Sequence, residues 1–163
     1  MQRNITLAIE ELENDGLLNS ADIELVEAAR AAIKNSYSPY SGFKVAAAAR
    51  LHDGNIVTGT NQENAAYPSG MCAERVALFT ASSLHPGKMI KKLVVLARLA
   101  NQTELAPASS CGACRQVMLE FEQRQGKPFE VIMQNQDRHW VKTASAETLL
   151  PFCFSNESLQ VRK

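Results

Sequence analysis

The 163-residue chain has no net charge, and it lacks both a long apolar run and a basic leader. Each absence closes a class of function. A membrane helix needs roughly 20 consecutive apolar residues, so no membrane partner is expected. With 17 basic and 17 acidic side chains, the chain lacks the broad positive footprint with which proteins hold nucleic acid. Met1-Gln2-Arg3-Asn4 leads into an acidic stretch rather than a signal peptide's basic end and apolar block, so a cytoplasmic setting is expected. No repeat, low-complexity tract or linker interrupts the sequence. One domain over residues 1–163 is the expectation, and 45% hydrophobic content provides its core. Four cysteines in a reducing compartment read as metal ligands or core thiols rather than disulfides.

The elements follow from periodicity. Residues 1–19 carry Glu10, Glu11, Glu13 and Asp15 among Ile5, Leu7, Ile9 and Leu12, which predicts a short helical extension or a loosely docked arm. A helix starts at Asn19-Ser20, where either side chain can cap it. Its buried face is Ile23, Val26, Ala29, Ala32 and Ile33. Phe43–Leu51 and Asn55–Gly59 read as strands joined by the hairpin signal Asp53-Gly54. A helix follows over about Cys72–Ser82, then a doubly buried strand over Lys91–Leu99. A polar loop over 101–110 precedes a helix over Cys111–Gln125. Strands over Phe129–Met133 and His139–Lys142 complete the pattern, with a helical turn at Ala146–Leu150. The predicted fold is α/β, a three-layer α/β/α sandwich around a mixed five-stranded sheet.

Chemistry concentrates in Cys72-Ala73-Glu74-Arg75 and Cys111-Gly112-Ala113-Cys114, with 38 residues between Cys72 and Cys111. Zinc takes sulfur ligands tetrahedrally, and three protein ligands rather than four leave a position for water. Both motifs open helices, where exposed backbone donors and the helix dipole favour thiolate. Cys111 and Cys114 share a helical face and can pinch a metal with Cys72. Glu74 stands beside a ligand without being one, the place for a carboxyl that takes and delivers a proton. Arg75 is suited to hydrogen-bond ligand sulfur and soften the negative charge of three thiolates. Cys153, flanked by Pro151, Phe152 and Phe154, reads as a buried core thiol. His52, His85 and His139 read as solvated histidines. A Cys-x-x-Cys alone also fits a redox pair or half of a structural zinc site; Cys72 and Glu74 speak against both.

With their surroundings these motifs resemble the small homotetrameric zinc-dependent cytidine deaminases. The likeness runs from about Ala28 to Gln160. It includes Tyr37-Ser38-Pro39-Tyr40-Ser41-x-Phe43-x-Val45, then Thr58-Gly59-Thr60-Asn61-Gln62-Glu63-Asn64-Ala65-Ala66-Tyr67-Pro68. It continues through both cysteine motifs and closes on Leu149-Leu150-Pro151-x-x-Phe154. The resemblance implies one zinc per subunit on Cys72, Cys111 and Cys114, with Glu74 catalytic. It also implies that Asn61 and Glu63 accept from ribose hydroxyls, that Phe43 lies beside the pyrimidine, and that Ala73 addresses the base through its backbone. Phe154 is then the aromatic lent to a neighbouring subunit's site in a homotetramer. The chain departs from the family in Ala46, Thr60 and Ser110, the last standing where a proline is common and leaving its loop less rigid.

The activity so implied is hydrolysis of cytidine and 2′-deoxycytidine to uridine products and ammonia, in pyrimidine salvage. The alternative is deamination of a cytosine-containing antibiotic or modified nucleoside, in the manner of blasticidin-S deaminase. A polynucleotide substrate would call for basic surface that the balanced composition does not supply.

Overall fold

Alternating small and branched apolar residues build the centre of the molecule, because a strand turns successive side chains to opposite faces. The computed structural model describes residues 1–2 and 4–159. Its strands are β1 (Glu10–Leu12), β2 (Phe43–Leu51), β3 (Ile56–Thr60), β4 (Ile90–Leu99), β5 (Glu130–Gln134) and β6 (Trp140–Thr143). They form one sheet in the order β1-β6-β5-β4-β2-β3. Only β4 and β5 pair in parallel; the other neighbours are antiparallel.

Three α-helices cover the sheet: α1 (Ser20–Ala32), α2 (Ala73–Leu84) and α3 (Gly112–Gln125). On one face Ala47, Ala49, Leu93, Val95 and Val131 pack against α2 and α3. On the other, Ala46, Ala48, Val94, Leu96 and Ile132 pack against Leu25, Val26 and Ala29 of α1. The alanine run of β2 thus lets helices approach from both sides. Gly59 permits the closest approach: a Cβ there would lie 2.3 Å from the Ala77 amide nitrogen and 2.6 Å from the Ala73 carbonyl oxygen. The three-layer architecture is present, as are the helices expected from Asn19-Ser20, over about Cys72–Ser82 and over Cys111–Gln125. Asn19 caps α1 by accepting from the Asp22 N–H at 2.9 Å.

The sheet has six strands, not five. The added strand lies inside the stretch expected to be helical: β1 pairs Glu10 with Lys142 and Leu12 with Trp140. The edge of β6 offers unpaired backbone groups that an extended segment satisfies. Asp15 Oδ1 then accepts from the buried Trp140 indole N–H at 2.6 Å. Among the described residues, no helix is long and apolar enough to cross a membrane.

Strand direction positions the site. Because β2 runs against both β3 and β4, and β4 runs with β5, the C-terminal ends of β3, β4 and β5 lie on one side. Crevices beyond the carboxyl ends of such strands are where α/β sheets bind ligands.

Candidate active site

A cleft of about 560 Å³ opens at those strand ends, large enough for a small organic ligand. The loop after β3 brings Asn61 and Glu63, the loop after β4 brings Pro107–Ser109 and Cys111, and the loop after β5 brings Gln136. Phe43 and Val45 from the start of β2 complete one wall. Cys72, Ala73 and Glu74 at the start of α2 form the floor.

Cys72 and Cys111 are the N-cap residues of α2 and α3, and neither side chain makes a capping hydrogen bond. The first-turn N–H groups of both helices therefore remain to face the thiols. Cys114, one turn into α3, is buried. The sulfurs of Cys72, Cys111 and Cys114 lie within 4.8 Å of one another. Hydrogen bonding from Cys114, aided by Arg75, lowers the Cys72 thiol to about 5 against its desolvation. Donation to Cys72, then burial, pushes the Cys114 thiol up. A set of three converging sulfurs, one already drawn toward thiolate, suits a soft or borderline divalent metal. Arg75 Nη2 donates to Cys72 Sγ at 3.5 Å, the contact anticipated from the sequence.

Glu74 is 4% exposed, and burial holds its carboxyl above the ordinary carboxylate range. A proton carrier with so little solvent around it is poised to exchange protons with a ligand. Ser110, 3% exposed, precedes Cys111, and its carbonyl accepts from Arg115 Nε at 2.8 Å. Arg115 Nη1 also donates to the Leu149 carbonyl at 3.0 Å. This clamp supplies stiffness that the absent proline would otherwise provide.

Asn61 and Glu63 do face the cleft, but their bonds revise what each can offer. Asn61 Oδ1 accepts from Val45 N–H at 2.8 Å and Ser36 Oγ at 2.5 Å, while Nδ2 donates to the Phe43 carbonyl at 2.9 Å. Its oxygen is fully occupied, leaving one N–H to donate, where the sequence suggested an acceptor. Glu63 accepts from the Tyr40 N–H at 2.9 Å, the Ser41 N–H at 3.3 Å and Ser41 Oγ. These bonds, led by Ser41, lower its carboxyl below the usual range and keep it an anion.

Phe154 lies outside the cleft of its own chain, 58% exposed, with its carbonyl accepting from Gln116 Nε2 at 2.7 Å. Cys153 is exposed rather than buried, because the chain after Pro151 runs over the surface. His139 bonds Glu11 Oε1 at 2.8 Å instead of standing free. Sequence reasoning missed Gln136 and the Arg115 clamp. Gln136 has no local signal, whereas Arg115 directly follows a ligand on its helix.

A family model for the cytidine and deoxycytidylate deaminase zinc-binding region matches residues 19–126. Cytidine deaminase of Sporosarcina psychrophila is 41% identical over 139 residues, spanning 85% of this chain and 95% of that protein. Cytidine deaminase of Halalkalibacterium halodurans is 36% identical over 135 residues, 83% of this chain and 95% of that protein. The crystal structure of cytidine deaminase from Burkholderia pseudomallei superposes with a TM-score of 0.68 at 39% identity. It covers 84% of this chain and 100% of that one.

Proposed function

The chain belongs to the cytidine and deoxycytidylate deaminase family, and we propose that it hydrolyses cytidine and 2′-deoxycytidine to uridine and 2′-deoxyuridine, releasing ammonia. The observation that carries the reading is one cleft holding three converging thiols, a buried carboxyl and an Asn-x-Glu pair.

Cys72, Cys111 and Cys114 would hold one zinc per chain. When bound, zinc supplies a Lewis acid that readies water as a nucleophile near neutral pH. The remaining chemistry belongs to side chains. Glu74 takes the proton of the attacking water and delivers it to N3 of the pyrimidine. Once the water oxygen has bonded to C4, Glu74 collects the proton of the new C4 hydroxyl and passes it to the amino nitrogen, so that the C4–N bond breaks, ammonia leaves and a C4 carbonyl remains. Burial suits the first step, because a carboxyl held above its ordinary range takes up a proton more readily than a solvated one. The Asn61 N–H donates to a ribose hydroxyl, and Glu63 accepts a hydrogen bond from that hydroxyl. A hydroxyl is both donor and acceptor, so the pair engages it in both roles. Phe43 packs against the base, and the Ala73 backbone addresses its edge.

Phe154, exposed and outside the lining of its own cleft, suits an aromatic that completes a neighbouring subunit's site in a homotetramer. The setting we assign is cytoplasmic pyrimidine salvage, with one domain over 1–163, no membrane partner and no nucleic-acid partner. Loss of ultraviolet absorbance on mixing with substrate tests the reading. Cytidine and 2′-deoxycytidine should be consumed, with cytosine and cytidine monophosphate much slower. Turnover confined to a blasticidin-type compound would transfer the assignment to antibiotic deamination.

A further inference from the structure

Three strands running in one direction each feed the cleft with a loop, and only two of those loops carry assigned residues. The third, after β5, places the exposed Gln136 on the cleft wall. Among the described residues the Gln136 side chain has no hydrogen-bond partner, so its carboxamide presents a free donor and a free acceptor to a ligand. The adjoining wall is Pro107–Ser109. It is joined to this loop by the Ala108 N–H donating to the Gln134 carbonyl at 3.2 Å and by an Arg138–Glu104 ion pair at 3.1 Å.

The loop does not hold its shape unaided. Arg138 adopts φ 65°, a left-handed conformation that costs energy for a residue with a Cβ and persists only where surroundings enforce it. Backbone bonds close the turn, from the Asn135 N–H to the His139 carbonyl at 3.0 Å and from the Arg138 N–H to the Asn135 carbonyl at 3.1 Å, and Gln134 Nε2 donates to the Arg138 carbonyl at 3.2 Å. The Asn135 side chain adds to them, its Oδ1 accepting from the Asp137 and His139 N–H groups, each at 3.0 Å. Its amide nitrogen in turn donates to Glu11 Oε1 at 2.7 Å, the same oxygen that meets His139 Nδ1 at 2.8 Å. Glu11 sits on β1, in register with Val141 of β6. That strand precedes the segment matched by the family model, which begins at residue 19.

We propose that Gln136 contacts a polar group of the bound nucleoside, and that Glu11 is a positioning residue which acts through Asn135 to hold Gln136 on the cleft wall. The N-terminal strand is thus part of how this chain holds its substrate. The proposal rests on the nucleoside reading of the cleft given above.

Steady-state kinetics of the zinc-loaded full chain on cytidine test it. Q136A raises KM about fivefold, the size of one hydrogen bond. E11A raises KM about threefold, with a smaller change in kcat. E11Q, which keeps an acceptor for Asn135, restores the wild-type KM. The double variant E11A/Q136A shows the KM of Q136A alone, because two residues acting in series are not additive. Hydrogen exchange at the amides of residues 135–139 quickens in E11A, a readout independent of turnover. An unchanged KM in either single variant, or an E11A effect that persists in full on the Q136A background, overturns the proposal. A wild-type chain inert toward cytidine overturns the nucleoside reading and with it the Gln136 contact. Exchange at 135–139 that E11A leaves unaltered overturns the Glu11 clamp alone.

Discussion

Two buried carboxylates lie on opposite faces of one sheet and are shifted in opposite directions. Glu74, on the α2 and α3 face, has no cationic side chain paired with it among the described residues, and burial raises its pKa. Asp22, on the α1 face, is 0% exposed; burial pushes it upward too, but bonds from Lys92 and Lys142 outweigh that push and lower it. Lys92 Nζ donates to Asp22 Oδ1, and Lys142 Nζ lies 2.9 Å from Oδ2. Glu130 approaches Lys92 at 3.3 Å from the neighbouring strand. The difference is one of role. A paired buried charge is a structural commitment that must stay paired, whereas an unpaired one is a proton store whose state can change during a reaction.

The largest effect expected follows from Glu74. Glu74→Gln keeps shape and hydrogen-bonding capacity but cannot carry a proton, so kcat should fall about 10²–10⁴-fold. Zinc content, measured on the same preparation by mass spectrometry, should stay at one per chain. Near-normal turnover in this variant would remove Glu74 from the mechanism and with it the contrast between the two faces.

On the other face the conservative change has the opposite signature. Asp22→Asn leaves Lys92 and Lys142 without their shared anion and should cost about 3 kcal/mol of folding free energy, with kcat on cytidine nearly unaltered. Its pH dependence has a fixed sign. The folded pKa lies below the unfolded value near 4, so Asp22 contributes fully above about pH 4 and loses its contribution as pH falls through the folded value. Urea unfolding at pH 7 and pH 3 should show a gap between wild type and variant that narrows in acid. An equal gap at both pH values would show that Asp22 is not the titrating group.

Gly59 tests whether the faces separate so cleanly. A methyl there meets the backbone of α2 rather than a yielding side chain. Gly59→Ala should therefore cost about 1–3 kcal/mol and also lower kcat, because the displaced helix carries Cys72 and Glu74. A stability loss with untouched kcat would mean that α2 shifts without disturbing its first turn.

What the sequence disclosed divides along the same line. Glu74 and the three thiols were legible because metal ligation demands rare residue types at fixed spacing. The strands β2 and β4 were legible because apolar residues run through them almost unbroken. The Asp22–Lys92–Lys142 cluster was not, since its members lie 70 and 120 positions apart and meet only when α1 crosses the sheet. The strand β1 was misread as helix because its acidic residues dominate the composition. The strand itself has only three residues, Glu10, Glu11 and Leu12, too few to show a period of two, and its place is set by pairing with β6. Asn61 was found but its bonding was not, because which of its atoms are occupied depends on Ser36 and Val45.

Arg75 carries the smallest effect and the sharpest form of the comparison. Like Lys92 it is a cation facing an anion, but the anion is the sulfur of half-buried Cys72, and Arg75 itself is only partly buried. Removing a cation here should change how the site holds metal rather than whether the chain folds. Three thiolates around a divalent ion leave a net negative charge, and a donor to one sulfur relieves it; loss of such outer contacts typically weakens metal binding 10–100-fold. Arg75→Gln should therefore release zinc at about tenfold lower chelator concentration and displace the activity–pH curve. The unfolding midpoint of the metal-free chain should stay within experimental error of wild type. If zinc retention and the pH curve are both unchanged, Arg75 is a surface cation that happens to touch sulfur, and the electrostatics of the site reside in its thiols and helix termini alone.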